Sequence, residues 1–296
     1  MNILIVGSGY AGLNVYYSIN KNKFNVKIIS DSNKFKFYTL YFKKLINPKL
    51  NYIIYLSSFI NVEKLLDVDM RGPWIKTDKN EYSPDVLVIA TGCERKGLDY
   101  FLNNIVKEEN IKIGSEYIFD EYLVLQLVFY LKALGKKVSY CGSPLSWLGK
   151  EVEQGIQKIL TNLKVPLCEK PDFLFPQCEP TIDIGFLKTD EYLRVAKNCF
   201  AIGDIIYNWP KVGELAMREG IYVAKLIQGK INKPFSPLFV NIIDTGKGKG
   251  IHIRSNKLWG GDYVSIKYSA FRSLMKRFLE KYYVIRKGKM GFLEKL

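Results

Sequence analysis

A single histidine, His252, occurs among the 296 residues. That scarcity argues against a histidine-based catalytic triad and against a zinc centre with imidazole ligands. Cysteine is sparse as well. Cys93, Cys141, Cys168, Cys178 and Cys199 form no C-x-x-C pair and no metal-ligand spacing, so no metal is expected. An odd, scattered set reads most simply as free thiols, several of them buried. Long hydrophobic runs are missing too. The most apolar stretch, Tyr122 to Leu131, contains Gln126 and is too short to cross a bilayer. No signal peptide is read, because a core-strand pattern starts at residue 2. Acidic residues are also in deficit: 29 Asp and Glu against 44 Lys and Arg leave a net charge of +15. The excess points to an anionic partner, whether a lipid surface, nucleic acid or an acidic protein. With 48% apolar and 25% charged residues, the chain should fold into about two domains.

What is present is concentrated at the start. The apolar run Ile3 to Val6 ends in Gly7-Ser8-Gly9-Tyr10-Ala11-Gly12. Apolar positions at Leu13, Val15, Tyr16 and Ile19 predict a helix, and Val26 to Ile29 predicts a second strand ending at Ser30-Asp31. Strand, glycine turn, helix, strand and carboxylate together make a dinucleotide-binding signature. Gly7 permits the tight turn, Gly9 lets backbone approach a pyrophosphate, and Gly12 lets helix and strand pack closely. The helix start offers unpaired N–H groups and a positive dipole end to phosphates. Asp31 stands where a carboxylate accepts from ribose hydroxyls, which argues against NADP but does not separate NAD from FAD.

Two further motifs follow. Asp85-Val-Leu-Val-Ile-Ala-Thr-Gly92 reads as a buried parallel strand, and its small end, Thr91 and Gly92, lets backbone pass close to a cofactor. Cys199-Phe-Ala-Ile-Gly-Asp204 reads as a short strand ending in Gly203-Asp204, followed by Pro210-Lys211-Val212-Gly213 and a helix from Glu214 to Ile227. Between these motifs, residues 93 to 115 read as a polar connection. Tyr117 to Leu134 reads as a helix, Lys136 to Tyr140 as a strand, and Lys150 to Leu163 as another helix. The turn Cys141 to Gly149 keeps only Gly142 and Gly149, and Trp147 would obstruct a pyrophosphate, so this second nucleotide turn is degenerate. Residues 166 to 180 hold four prolines and read as a connector.

Taken together, the Gly7 to Gly12 turn with Asp31, the Val86 to Gly92 strand and the Phe200 to Asp204 segment resemble the flavin-dependent oxidoreductases with two dinucleotide domains. Pro210-Lys211-Val212-Gly213, Asp244-Thr245-Gly246, Trp259 and the run Leu279 to Gly291 are similar to the sulfide:quinone oxidoreductase branch. Type II NADH dehydrogenases are the neighbouring branch. The resemblance implies FAD, with its pyrophosphate at Gly7, Ser8, Gly9, Tyr10, Ala11 and Gly12 and its adenosine ribose on Asp31. It places Asp204 on the ribityl or phosphate side and the backbone of Lys211, Val212 and Gly213 at the flavin, where a helix N-terminus favours the anionic reduced ring. It also implies an α/β fold: an FAD-binding Rossmann-like domain (1–110 and 185–235), a reduced second dinucleotide-like domain (111–184) and a helical C-terminal tail within a basic amphipathic membrane- or partner-binding region (236–296). Two redox cysteines of that branch fall at Trp147 and Asn241. Cys93 and Cys141 are the weak substitutes, each read as a buried, inert thiol.

From Tyr263 to Leu296 nine Lys and Arg face two Glu. Tyr268, Phe271, Leu274, Met275, Phe278, Leu279 and Tyr282 recur at helical spacing, with basic residues opposite. A basic amphipathic helix of this kind suits an anionic membrane surface. The basic residues form no nucleic-acid recognition motif. The expected protein is a cytoplasmic, peripheral-membrane flavoprotein that passes two electrons from a small donor through FAD to a quinone. A type II NADH:quinone oxidoreductase and a flavoprotein subunit without turnover are the alternatives, and a partner subunit or a second copy stays open.

Overall fold

The computed structural model describes residues 1–56 and 59–295. Strands β1 (Asn2–Val6) and β2 (Asn25–Ser30) flank helix α1 (Tyr10–Ser18) and lie parallel, with Ile3 opposite Val26 and Val6 opposite Ile29. β1 also pairs in parallel with Val86–Ile89, which pairs in parallel with Cys199–Ala201. Arg194–Ala196 and Ile60–Val62 complete a six-stranded sheet at its two edges. Parallel strands covered on both faces should be apolar throughout. Ile3 to Val6 and Val86 to Ile89 are all buried, at 6% exposure or less. Ile53–Tyr55 is a further short strand, and Ser57 and Ser58 lie outside the described residues.

The short helix α2 (Tyr38–Lys43) precedes the strand Ile53–Tyr55. Residues 93 to 115 are more ordered than the polar composition led us to expect. They hold the strand Cys93–Glu94, helix α3 (Leu98–Ile105) and the strand Asn110–Gly114. Leu98, Leu102 and Ile105 are buried at helical spacing, a stripe hidden among Asn, Asp and Tyr. Helices α4 (Glu121–Ala133) and α5 (Lys150–Asn162) follow as predicted. A four-stranded parallel sheet runs Leu167–Cys168, Lys137–Cys141, Asn110–Gly114, Phe173–Leu174. The proline-rich stretch therefore supplies two of these strands and a third, Glu179–Pro180, which pairs with Cys93–Glu94.

Helix α6 (Gly213–Ile227) packs across α1 and comes closest at Gly220. A Cβ at Gly220 would stand 2.3 Å from the Ala11 carbonyl oxygen. The C-terminal region holds more than the helix read from the sequence. A three-stranded antiparallel sheet, Phe239–Asp244, Gly250–Ser255 and Val264–Ser269, comes before helix α7 (Ala270–Ile285). α7 lies on this sheet at close range, because a Cβ at Gly250 would meet backbone of Arg272 and Ser273 at 2.8 to 2.9 Å. The segment after α7 returns to α1. The buried Asn14 amide donates to the Gly288 carbonyl at 2.9 Å, and its oxygen accepts from the Met290 N–H at 2.9 Å. Glu294 pairs with Lys225 on α6.

Candidate functional site

The three glycine-bearing motifs meet at the C-terminal edge of the six-stranded sheet, the position at which open α/β sheets bind ligands. Gly7 turns at φ +111°, and a Cβ there would collide with the Ala90 carbonyl oxygen at 2.2 Å. A Cβ at Gly12 would collide with the Gly7 carbonyl oxygen at 2.0 Å. Both glycines are therefore demanded by close packing of turn, helix and neighbouring strand. Gly9 is different: a Cβ there would meet nothing within 4 Å, so its backbone faces open space. Ser8 turns inward and donates to Ser30 Oγ at 3.0 Å and the Ser32 carbonyl at 3.3 Å, tying the turn to the end of β2. Asp31 follows, exposed at that strand end. A Cβ at Gly203 would lie 3.0 Å from Ala11 Cβ, and one at Gly92 would lie 4.0 Å from Asp204 Cβ. The second and third motifs thus close on the first.

These residues fit a dinucleotide. Thr91 Oγ1 is buried at this edge and finds no hydrogen-bond partner among the described residues, although its backbone carbonyl accepts from Thr181 Oγ1 at 3.1 Å. A buried hydroxyl left unpaired costs roughly 1–3 kcal/mol, and a ligand oxygen or nitrogen would satisfy it. The open face at Gly9 lies at the start of α1, whose first N–H groups have no capping side chain.

A cavity extends from this edge. Tyr10, Asp204, Lys211, Val212 and Gly213 line one end, with Tyr38, Thr39, Arg95, Cys93 and Cys178 beside them. The cavity continues past Tyr122 and Gln126 of α4 and Asn241 of the antiparallel sheet. It ends under α7 at His252, Met275, Lys276 and Glu280. Of the residues read from the sequence, Tyr10, Asp204, Lys211, Val212, Gly213 and Cys93 line it. Gly7, Ser8, Gly9, Ala11, Gly12, Asp31, Thr91, Gly92 and Gly203 stand on the same sheet edge outside it.

Charge at the near end is finely balanced. Burial raises the Asp204 carboxyl, against the pull of Lys211 and Arg95. Burial pushes the Lys211 ammonium down to about 8, opposed by Asp204 and Glu219. Lys211 Nζ donates to the Ile206 carbonyl at 2.5 Å, so its charge is held beneath the α6 N-terminus. Glu219, raised to about 8 by burial, accepts from the Gly203 N–H. At the far end Lys43 pairs with Glu280 at 2.6 Å and lies 3.7 Å from Asp244. Burial and the cations Arg272, Arg254 and Lys267 push His252 down to about 4, so it is neutral at pH 7.

The cysteines correct the sequence reading. Cys93 and Cys178 form a disulfide, Cys141 and Cys168 form a second, and Cys199 alone is a free, buried thiol. No spacing announced either pair, because each bridge joins segments brought together by the fold. Cys141 lies at the end of the second parallel sheet and does not line the cavity. At the positions where the resemblance places redox cysteines, Asn241 lines the cavity, and Trp147 packs on Phe239 at 5.3 Å. The sequence reading also missed Cys178, Arg95, Tyr122, Lys276 and Glu280, which converge only through the topology.

No family model and no curated protein matches this chain. Solved structures do. The sulfide:quinone oxidoreductase from Aquifex aeolicus superposes at a TM-score of 0.79 with 16% identity, over 99% of this chain and 93% of that one. The fold is that of a sulfide:quinone oxidoreductase. NDH2 from Plasmodium falciparum, solved with NADH, is similar at a TM-score of 0.58 and 14% identity, over 87% and 93% of the two chains. The water-forming NADH oxidase from Lactobacillus brevis gives 0.61 and 15%, over 86% and 75%. The predicted α/β architecture, with two parallel sheets of dinucleotide-binding type, is thereby established.

Proposed function

We propose that this chain is an FAD-dependent oxidoreductase of the sulfide:quinone oxidoreductase type, passing two electrons from a small donor to a quinone at a membrane surface. The observation that carries this reading is the single cavity that joins the dinucleotide edge to the underside of α7. Gly7 to Gly12 and Thr91 would hold the pyrophosphate, Asp31 the adenosine ribose, Asp204 the ribityl side, and the α6 N-terminus the flavin ring. When bound, FAD supplies the two-electron chemistry. The chain's own residues bind it, orient it and set its electrostatics. The backbone N–H groups starting at Gly213, with Lys211 beneath, favour negative charge beside them and so favour electron uptake.

The far end suits an apolar acceptor. Ile242, Ile243, Met275 and Leu279 give it an apolar wall, and Glu280 and Lys276 stand within it as groups able to move protons. The outer side of α7 exposes Phe271, Leu274 and Phe278, at 63%, 60% and 54%. With the surrounding Lys and Arg, this face would rest on anionic lipid. The predicted apolar face is therefore divided: Tyr268 falls in the strand before α7, and Leu279 and Tyr282 pack on the protein core. Among the described residues no helix is long and apolar enough to cross a membrane, so the association would be peripheral.

The test is anaerobic. The purified protein should carry FAD, or take it up, and once that FAD has been photoreduced it should pass the two electrons to a soluble quinone, faster when anionic vesicles are present. Absence of flavin binding would overturn the proposal.

A further inference from the structure

We propose that the Cys93–Cys178 disulfide is a redox-active pair that takes two electrons from a small thiol and exchanges them with FAD held in this cavity. The inference rests on the FAD reading above. Both cysteines line the cavity, in company with Asp204, Lys211 and Thr39, and both are half-buried rather than sealed. They are the only cysteines along that wall among the described residues. The positions at which the resemblance implies redox cysteines hold Trp147 and Asn241, so this pair comes from other parts of the chain.

The surroundings are built to survive opening of the bond. Cys93–Glu94 already pairs antiparallel with Glu179–Pro180, placing Cys93 opposite Pro180. Arg95, two residues after Cys93, forms a double hydrogen bond with Asp120 at 2.5 and 2.7 Å. It also donates to the Pro176 carbonyl at 2.7 Å, two residues before Cys178. Thr181 Oγ1 donates to the Thr91 carbonyl at 3.1 Å. Three contacts besides the disulfide therefore hold the two strands in register. Reduced Cys93 and Cys178 would stay close enough to re-form the bond, as a cycling pair requires. The other disulfide serves a different place: Cys141 is 5% exposed, at the end of the second parallel sheet.

The step balances as follows. One thiolate of the donor attacks a sulfur of the pair, the Cys93–Cys178 bond breaks, and a mixed disulfide forms. A second donor thiolate displaces the first as donor disulfide, leaving Cys93 and Cys178 as thiols after proton uptake. The thiols then re-form their bond and release two electrons and two protons. Both electrons and one proton pass to FAD, and the second proton goes to solvent.

The experiment uses the FAD-loaded protein under anaerobic conditions with dithiothreitol as the thiol. Flavin absorbance is followed together with cysteine-resolved alkylation and mass spectrometry. In the wild type, dithiothreitol should bleach the flavin. Cys93→Ser and Cys178→Ser should each slow bleaching about tenfold or more, because thiols without the relay are poor partners for the flavin. A double variant, Cys141→Ser with Cys168→Ser, should bleach as the wild type does. A second measurement needs no variant. Photoreduction of the wild type should consume two electrons per FAD beyond those the flavin takes, with alkylation appearing at Cys93 and Cys178. Bleaching at the wild-type rate in Cys93→Ser would overturn the proposal, as would photoreduction that leaves both cysteines bonded. Those results would leave FAD binding intact and the pair a structural staple. A protein that binds no FAD would overturn this inference and the functional reading together.

Discussion

Gly220→Ala sets two magnitudes against each other. In a helix interior, alanine is favoured over glycine by roughly 1 kcal/mol, so propensity alone predicts a more stable α6. Packing opposes it. The new Cβ would stand 2.3 Å from the Ala11 carbonyl oxygen and 3.2 Å from both Ala11 C and Val15 N. Ordinary contact lies near 3.5 Å, so α1 and α6 must part by about 1 Å. Overpacking of this kind costs about 1–3 kcal/mol, and it wins: the variant should lose about 1 kcal/mol net. Melting should fall by about 2–4 °C. Because both helix N-termini face the dinucleotide edge, their separation should also weaken FAD retention. Two weakened helix-end contacts sum to about 1.4 kcal/mol, or tenfold in Kd. Differential scanning fluorimetry and flavin release by equilibrium dialysis give both values. A variant that melts at or above the wild-type temperature and keeps its flavin would refute the reasoning.

Thr91→Val should raise the melting temperature of FAD-free protein, because it removes an unpaired buried hydroxyl, while lowering FAD affinity. Unchanged affinity in the dialysis assay would mean that the hydroxyl is not a cofactor contact. Burial raises the Glu121 carboxyl to about 7, against the Leu145 N–H that it accepts. Its folded value lies above its unfolded one, so its stabilising contribution is complete below about pH 4.5 and is lost as pH rises through 7. Glu121→Gln should therefore flatten the fall in melting temperature between pH 5 and 8, read by calorimetry at fixed ionic strength. Phe271→Glu and Leu274→Glu alter exposed α7 positions, so melting should stay within about 0.5 kcal/mol of wild type. Each should cut partitioning onto anionic vesicles about tenfold in a sedimentation assay.

The parallel sheet and its turn were legible because their physics is local. Ile3 to Val6 and Val86 to Ile89 are continuous apolar runs, and Gly7 and Gly12 sit where a Cβ would strike neighbouring backbone. Asp204 and Lys211 to Gly213 were found for the same reason, as short segments with fixed spacing to a strand end. The antiparallel sheet before α7 was not legible. Ile251, Ile253, Val264, Ile266 and Tyr268 alternate with polar residues over two short strands only, Phe239–Asp244 does not alternate, and the sheet is buried by α4, α5 and α7 packed against it. Helix α3 was masked because only three of its eight residues form the buried stripe. The disulfides were out of reach, since 85 residues separate Cys93 from Cys178 and 27 separate Cys141 from Cys168. The aromatic pattern at the end of the chain gave the helix correctly. It could not show that Tyr268 would join the preceding strand, or that Leu279 and Tyr282 would be claimed by the core while Phe271, Leu274 and Phe278 stayed outside.

The central claim is that the edge built by Gly7 to Gly12, Thr91 and Asp204 holds FAD in contact with the cavity under α7. Its most direct test is the absorbance spectrum of the purified protein, before and after incubation with FAD and removal of the excess. The account predicts a flavin spectrum at one FAD per chain that is lost in Gly12→Ala, whose Cβ would meet the Gly7 carbonyl oxygen at 2.0 Å. A protein that folds, melts cooperatively and retains no flavin after that incubation would contradict it.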